Sequence, residues 1–171
     1  LEHVDGSGAT AITGLPDPLR GDHLTWSPDG SRFGFTHTGN DRVELWVVNA
    51  SSGSATQVLV GVNAIFRGTP FHWLSDSAHL AVRIVDPSRG IPPEAPAVPE
   101  MPVIQETTGR VAPARTYQDL LTSPHDNELF GYYGAARAVI ADLAGRTTEI
   151  AGPGIIERFA PSPDGNYLLV S

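Results

Sequence analysis

One short turn recurs three times along this chain, and each copy lies between two apolar segments. The sequence Ser-Pro-Asp-Gly occupies residues 27–30 and again 162–165, and a degenerate copy, Leu-Ser-Asp-Ser, occupies residues 74–77. Proline presets the first central position of a tight turn, aspartate tolerates the second, and glycine supplies the backbone angle that rejoins a strand. Each copy therefore predicts a β-hairpin.

A second kind of turn alternates with the first. It follows an apolar strand end, begins with Asp or Asn, and contains a glycine, at Gly8, Gly53 and Gly145. The aspartate of the next hairpin follows these glycines after 21, 23 and 19 residues. Four short antiparallel strands that repeat every ~40–50 residues are typical of a β-propeller blade. A β-sandwich also has short strands, but it does not repeat its turn chemistry at this spacing.

The predicted fold is therefore all-β, a partial β-propeller of four-stranded antiparallel blades. One blade spans residues 22–60 and a second spans 70–151, while 1–13 end a preceding blade and 155–171 start the next. The strands are predicted at 22–27, 31–38, 42–48 and 55–60, then at 70–74, 79–86, 136–142 and 147–151. Because these pieces do not complete a ring, we expect an excerpt of a larger propeller, with strand edges able to pair with another chain.

The second blade carries a proline-rich insertion at residues 87–135, between its second and third strands. Its second half predicts two short helices near 117–122 and 125–133, from helix-capping signals at Thr116 and Ser123. Alternating strand directions place the insertion on the same face as the connections 14–22 and 61–70. Long structured insertions usually serve a function, and a tolerated surface loop is the alternative.

The composition excludes several classes of function. The 19 acidic residues outweigh 11 basic ones for a formal charge of −8, which argues against nucleic-acid binding. The sequence contains no run of about 18 apolar residues, so it predicts no membrane span. The absence of cysteine excludes disulfides, cysteine-ligated metals and thiol catalysis. With no G-x-S-x-G motif and no metal-binding histidine pair, the sequence predicts no catalytic residue, metal site or cofactor.

Polar and aromatic residues near the hairpins have structural interpretations. The hairpin aspartates are turn residues rather than acid–base groups, and His72 and His79 flank a hairpin, where a turn role outweighs metal binding. Trp26 and Trp73 occupy matching strand positions, which predicts core packing for both. Six arginines near the insertion face are interpreted either as carboxylate-binding groups or as solvated side chains: Arg20, Arg67, Arg83, Arg89, Arg110 and Arg115.

The order of these pieces resembles a known family. The strings that carry the resemblance are GTPFHWLSDSAHLAVRIV (68–85), PVIQETTGRVAPARTYQDLL (102–121), LFGYYGAARAVIADLAG (129–145) and PSPDGNYLLV (161–170). Together with WSPDGSRFGFT, they resemble the propeller domain of the prolyl oligopeptidase clan of serine peptidases, in its glutamyl endopeptidase branch. The hairpin motif alone occurs in many unrelated propellers, whereas the 102–121 string is far more specific.

The resemblance implies a propeller that caps an α/β-hydrolase domain and limits which peptides reach its catalytic triad. The expected partners are thus that hydrolase domain and a peptide substrate, with no nucleic acid and no cofactor. The chain itself contains no triad residue and is expected not to hydrolyse peptides. Candidate substrate-binding residues are Arg110, Arg115 and Arg67, which would suit a glutamyl preference. The resemblance suggests a periplasmic or secreted protein, and a free-standing periplasmic propeller that binds protein or ligand is the alternative.

Overall fold

The computed structural model of the chain describes residues 1–97, 121 and 123–171. Ten strands and one helix lie in these residues. The strands are β1 Gly21–Trp26, β2 Arg32–Thr38, β3 Val43–Asn49, β4 Ala55–Val60, β5 Phe71–Trp73, β6 His79–Val85, β7 Ala135–Asp142, β8 Thr147–Ile155, β9 Phe159–Pro161 and β10 Leu168–Val170, and the helix is α1 Pro124–Gly134.

The strands form three antiparallel sheets, each in chain order. Sheet one contains β1 to β4, sheet two contains β5 to β8, and sheet three contains β9 and β10. The two predicted four-stranded antiparallel units are thereby confirmed. The long insertion lies between β6 and β7, as predicted, and these two strands pair directly from His79↔Asp142 to Val85↔Ala136.

The three hairpins share one register. Trp26 pairs with Phe33 in sheet one, and Trp73 pairs with Leu80 in sheet two. Pro161 pairs with Leu168 in sheet three. Each pair encloses a turn of the same length, so the predicted equivalence of the hairpin aspartates is confirmed.

The degenerate hairpin departs from the other two at its last turn position. Gly30 and Gly165 have φ angles of 71° and 75°, and Ser77 has the same left-handed conformation with φ 56°. A side chain in this region costs about 1–2 kcal/mol. The Ser77 hydroxyl accepts a hydrogen bond of 3.1 Å from the Asp29 N–H in the neighbouring hairpin, which offsets part of that cost.

We expect Ser77→Gly to be about 1 kcal/mol more stable than Ser77→Ala. Both variants lose the hydroxyl, but only alanine keeps a side chain in the left-handed conformation. Urea unfolding curves of the two variants measure the difference. Ser51 is an exposed turn residue without a positive φ. There we expect the glycine variant to be less stable than the alanine variant, because glycine loses more backbone freedom on folding. Equal stability of the two Ser77 variants would contradict this account.

The main core lies between sheets one and two. Side chains alternate between the two faces of each strand, so Leu45 and Val47 of β3 face Leu80 and Val82 of β6 in one cluster. Phe71 is fully buried there. A Cβ on Gly34 of β2 would lie 2.9 Å from the Phe71 ring, so glycine is what allows this close approach. A second cluster joins sheet two to sheet three through Ala81, Ala138, Ile156 and Phe159.

The predicted core role is correct for Trp73 and wrong for Trp26. Trp73 is 8% exposed and its Nε1 donates to the Thr25 backbone oxygen at 3.2 Å in sheet one. Trp26 is 50% exposed and contacts the Phe33 ring of its own sheet. The two positions are equivalent in register, but among the described residues only sheet two has a neighbouring sheet on that face, whereas residues 1–15 cover the same face of sheet one only in part.

The second predicted helix is confirmed as α1. Ser123 caps it: its hydroxyl accepts from the Asp126 N–H at 3.1 Å, and the Asp126 carboxylate accepts from the Ser123 N–H at 2.9 Å. Proline at the first helical position completes the start signal. Of the first predicted helix, near 117–122, residue 121 alone is described, so this helix stays a prediction. In the first turn of the second kind, Gly6 rather than Gly8 takes the positive φ.

Candidate functional site

A groove opens at one edge of sheets one and two, where β1 begins, β2 ends and β6 ends. We call it the loop-face groove, and its cavity volume is about 470 Å³. Its lining comprises Asp22, His23, Thr36, Thr38, residues 41–43 and 62–65, Val85, Arg89 and Tyr133. It thus joins the end of the 14–22 connection, the 61–70 connection and the insertion, which were expected to share one face.

Asn63 ties these connections together. Its Nδ2 donates to the backbone oxygens of Tyr133 at 3.0 Å and Ala135 at 3.1 Å, where α1 passes into β7. The Asn63 N–H donates to the Arg83 oxygen of β6. The connection between the sheets therefore forms a wall of the groove whose position relative to α1 is set by hydrogen bonds.

One charged pair and one histidine line the sheet-one side of the groove. Arg42 binds Asp41 through two hydrogen bonds, Nε to Oδ1 at 2.9 Å and Nη2 to Oδ2 at 2.7 Å. His23 has φ 55°, an unusual angle for a residue other than glycine, and its Nδ1 lies 3.0 Å from the buried Thr36 hydroxyl. Backbone angles of this kind cluster at functional sites, so this edge is a candidate surface for binding.

Arg89 lies on the insertion side of the groove. Its guanidinium lies 4.4 Å from the ring centroid of Tyr132 and 5.8 Å from that of Tyr133, both on α1. Its Nη1 donates to the Tyr132 backbone oxygen at 3.4 Å, and the Tyr132 hydroxyl donates to Gly90. Within residues 1–97, 121 and 123–171, no carboxylate forms an ion pair with Arg89.

The backbone before Arg89 is held by a network of charged side chains. Buried Asp86 accepts from Arg137 Nε at 2.9 Å, and the Arg137 Nη1 also donates to Glu149 of β8 at 2.6 Å. The Asp86 carboxylate also accepts a hydrogen bond from the Ser88 N–H, and the Asp86 backbone oxygen accepts one from the Arg89 N–H. The hydrogen bond from Arg137 lowers the pKa of Asp86 below its ordinary value, so the carboxylate stays charged.

Arg83 is a structural residue. It is neither a solvated side chain nor a carboxylate-binding group, the two alternatives expected from sequence. It is 1% exposed, its Nε donates to the Asn63 oxygen at 2.8 Å, and its Nη1 donates to the oxygens of Ile156 and Glu157. The Phe66 ring lies over the guanidinium, and the ring centroid is 5.4 Å from Arg83 Cζ. An inner-strand position under two connections forces this arginine to bind backbone oxygens.

Of the three predicted substrate-binding residues, the structure describes Arg67 alone. Arg67 lines a different cavity of about 450 Å³, with His72, Glu157 and Arg158. Arg110 and Arg115 lie outside the described residues, so their role stays a prediction. Arg20 is exposed, and its backbone N–H donates a hydrogen bond to His37 Nδ1.

The two histidines beside the second hairpin have local contacts. His79 Nδ1 lies 2.6 Å from Asp76 Oδ2 within the turn. His72 packs edge-on against Phe159, and burial lowers the pKa of its imidazole. In the part of the chain that the structure describes, no three His, Asp or Glu side chains are grouped as a metal site. No described helix is long and apolar enough to cross a membrane.

Sequence reasoning named Arg89 only as one of six arginines and did not single out Asn63. The available signal was weak: an arginine that precedes a glycine at the start of the insertion, and a Tyr-Tyr pair near its end. Because these elements are about 43 residues apart in sequence, their contact depends on how α1 returns to β6.

Two plant proteins align with almost the whole chain. One from Oryza sativa subsp. japonica, named "Probable glutamyl endopeptidase, chloroplastic", is 34% identical over 171 residues, covering 94% of this chain and 18% of that protein. One of the same name from Arabidopsis thaliana is 36% identical over 170 residues, covering 94% and 17%. No protein-family model matches the sequence.

A solved structure also aligns with the chain. Pyrococcus horikoshii acylaminoacyl peptidase covers 76% of this chain with 18% of its own, at 16% identity and a TM-score of 0.41. The chain spans less than a fifth of the length of the plant proteins it matches. The chain is therefore related, over nearly its whole length, to part of proteins named as glutamyl endopeptidases, which supports the relation to prolyl oligopeptidase-family peptidases that its motifs indicated.

Proposed function

We propose that this chain is a non-catalytic part of a serine peptidase. In this proposal its sheets belong to a β-propeller that gates or positions peptide substrates for an α/β-hydrolase domain elsewhere in the same protein. The observation that carries the proposal is the alignment of 94% of the chain with two proteins named as glutamyl endopeptidases. In this proposal the partner of the chain is a hydrolase domain of the same polypeptide, and the ligand is a peptide.

Repeated contacts between sheets support the propeller. A Cβ on Gly145, in the β7–β8 turn, would lie 2.6 Å from the Val58 oxygen of β4. In the same way, a Cβ on Gly53 in the β3–β4 turn would meet the oxygen of Ala11. Residues 10–13 therefore contact sheet one as β4 contacts sheet two. This is the relation expected if residues 1–13 end a preceding blade.

One face of sheet one, which residues 1–15 cover only in part, supports the same fold. Leu24 is equivalent in sequence spacing to Phe71, yet Leu24 is 59% exposed and Phe71 is 0% exposed. An apolar cavity of about 680 Å³ lies on this face, lined mainly by Leu15, Leu19, Leu24, Phe33 and Phe35. A propeller covers such a face with the preceding blade, so the exposed leucine has a defined partner in the proposed ring.

The position of the insertion supports gating. Among the described residues, α1 stands at the same edge of the sheets as the connections between them, and Asn63 binds it there. A fixed element at this face can restrict which chains enter and keep the opening small. The sequence contains no G-x-S-x-G motif, so gating rather than chemistry is the role proposed for this part.

The proposal is tested in the protein expressed from its complete reading frame. Because Val85 and Ala136 are paired, residues 87–134 can be replaced by a two-residue Asn-Gly turn without separating β6 from β7. We expect the unaltered protein to cleave an octapeptide, to be blocked by a serine-directed inhibitor, and to cleave an unfolded chain of about 60 residues with the same target sequence poorly. The replacement should reduce that length discrimination in kcat/KM by about tenfold or more.

Each outcome has a defined meaning. A replaced variant with unchanged length discrimination would exclude gating by this segment. Failure of the complete protein to cleave any peptide, together with measurable peptide binding, would instead favour a binding module. Circular dichroism and the unfolding midpoint of the variant serve as controls for folding.

A further inference from the structure

We propose that Arg89 binds a carboxylate group of a peptide that lies in the loop-face groove. This inference rests on the proposed function, because it assumes that the ligand at this face is a peptide. It names the feature of that peptide that is recognised, an acidic side chain or a C-terminal carboxylate, and the residue that recognises it. The candidates predicted from sequence for this role were Arg110, Arg115 and Arg67.

The first reason is the state of the Arg89 charge. The other arginines at the groove or beneath it already have hydrogen-bonded partners: Arg42 is bound by Asp41, and Arg83 by three backbone oxygens. Among the described residues, Arg89 has only a long hydrogen bond to a backbone oxygen and its contacts with two rings. A guanidinium has five donors, so most of those of Arg89 are free to bind a ligand.

The second reason is that Arg89 is held in place on both sides. Its side chain rests on Tyr132 and Tyr133, while its backbone follows the turn at Asp86, which Arg137 binds. Contact with an aromatic face leaves the edge of a guanidinium available for two parallel hydrogen bonds to a carboxylate. A side chain that is already ordered loses little conformational entropy on binding, which favours affinity.

The third reason is the composition of the groove around it. Its apolar lining includes Val43, Val62, Ile65 and Val85, which can contact the aliphatic part of a peptide. Its acidic residues are Asp41, which is neutralised by Arg42, and Asp22, which is exposed to solvent and therefore screened. Within the part of the chain that the structure describes, Arg89 is thus a cation without an ion-pair partner beside a cavity of about 470 Å³ with polar and apolar lining, large enough for part of a peptide.

Peptide binding to the complete protein tests the inference. The probes are fluorescent octapeptides in which one glutamate is placed at each position in turn, each with a glutamine twin, and each with an amidated or a free C-terminus. We expect the glutamate peptide to bind about tenfold more tightly than its twin at one position, or the free C-terminus more tightly than the amide. Arg89→Gln should reduce that ratio to about one.

The matched control is Arg32→Gln, which removes the same charge at the start of β2, at the opposite edge of sheet one. It should keep the full ratio. Arg89→Glu should prefer a lysine peptide at the same position, an inversion that misfolding cannot produce. Retention of the carboxylate preference in Arg89→Gln, or equal binding of all twins by the unaltered protein, would overturn the Arg89 site and leave the proposed gating intact. If the unaltered protein neither binds nor cleaves any of the peptides, both proposals are wrong.

Discussion

Replacement of Phe71 by alanine is expected to lower the free energy of unfolding by about 3–5 kcal/mol. The ring is fully buried between sheets one and two, and Gly34 on β2 has no side chain that could move in to fill the cavity. The surrounding cluster includes strands of both sheets, so the cavity would weaken the contact that holds them together. Urea unfolding of the variant and the unaltered protein measures the loss.

Two companion variants make this result specific. Phe71→Leu keeps most of the apolar volume and should cost about 1 kcal/mol. Leu24→Ala removes the equivalent side chain of sheet one, which is exposed in this structure and should cost under about 1 kcal/mol if the face stays uncovered. The proposed propeller predicts about 2–3 kcal/mol at Leu24 in the complete protein, because another blade would cover it. A loss under about 1 kcal/mol for Phe71→Ala would contradict the described packing.

Replacement of Arg83 by alanine is expected to cost about 3–4 kcal/mol. The guanidinium is buried and binds the oxygens of Asn63, Ile156 and Glu157, so its removal leaves three backbone acceptors without their donors. It also leaves space under Phe66. Arg83→Met fills that space and removes a buried charge, so about 2 kcal/mol should remain as the cost of the unsatisfied oxygens.

Hydrogen exchange locates the effect of Arg83. Because the guanidinium links the connection before β5 with the connection before β9, amides near 61–66 and 156–158 should exchange faster in Arg83→Ala, whereas the β2–β3 pairing should be unchanged. Arg32→Gln is the control and should change stability by less than about 0.5 kcal/mol. An unfolding free energy unchanged in Arg83→Ala would show that the buried contacts contribute nothing net.

Local sequence alone determined the strands and hairpins of this chain. Pro28, Asp29 and Gly30 specify a turn through their own backbone preferences, and the N–H of Ser31 and the hydroxyl of Ser27 hold the Asp29 carboxylate so firmly that its pKa falls to about 2. Because such signals act within about five residues, they could be read without knowing any tertiary contact. The same holds for Ser123 and Pro124 at the start of α1.

Only the tertiary structure decided which equivalent residues are buried and which arginine is free. Trp26 and Trp73 occupy equivalent positions in hairpins of the same register, but burial depends on whether a neighbouring sheet covers the face. Arg83 and Arg89 looked alike in sequence, yet one lies beneath two connections and the other rests on the tyrosines of α1. These differences arise from contacts between residues tens of positions apart, whose formation depends on sheet packing rather than on local propensity.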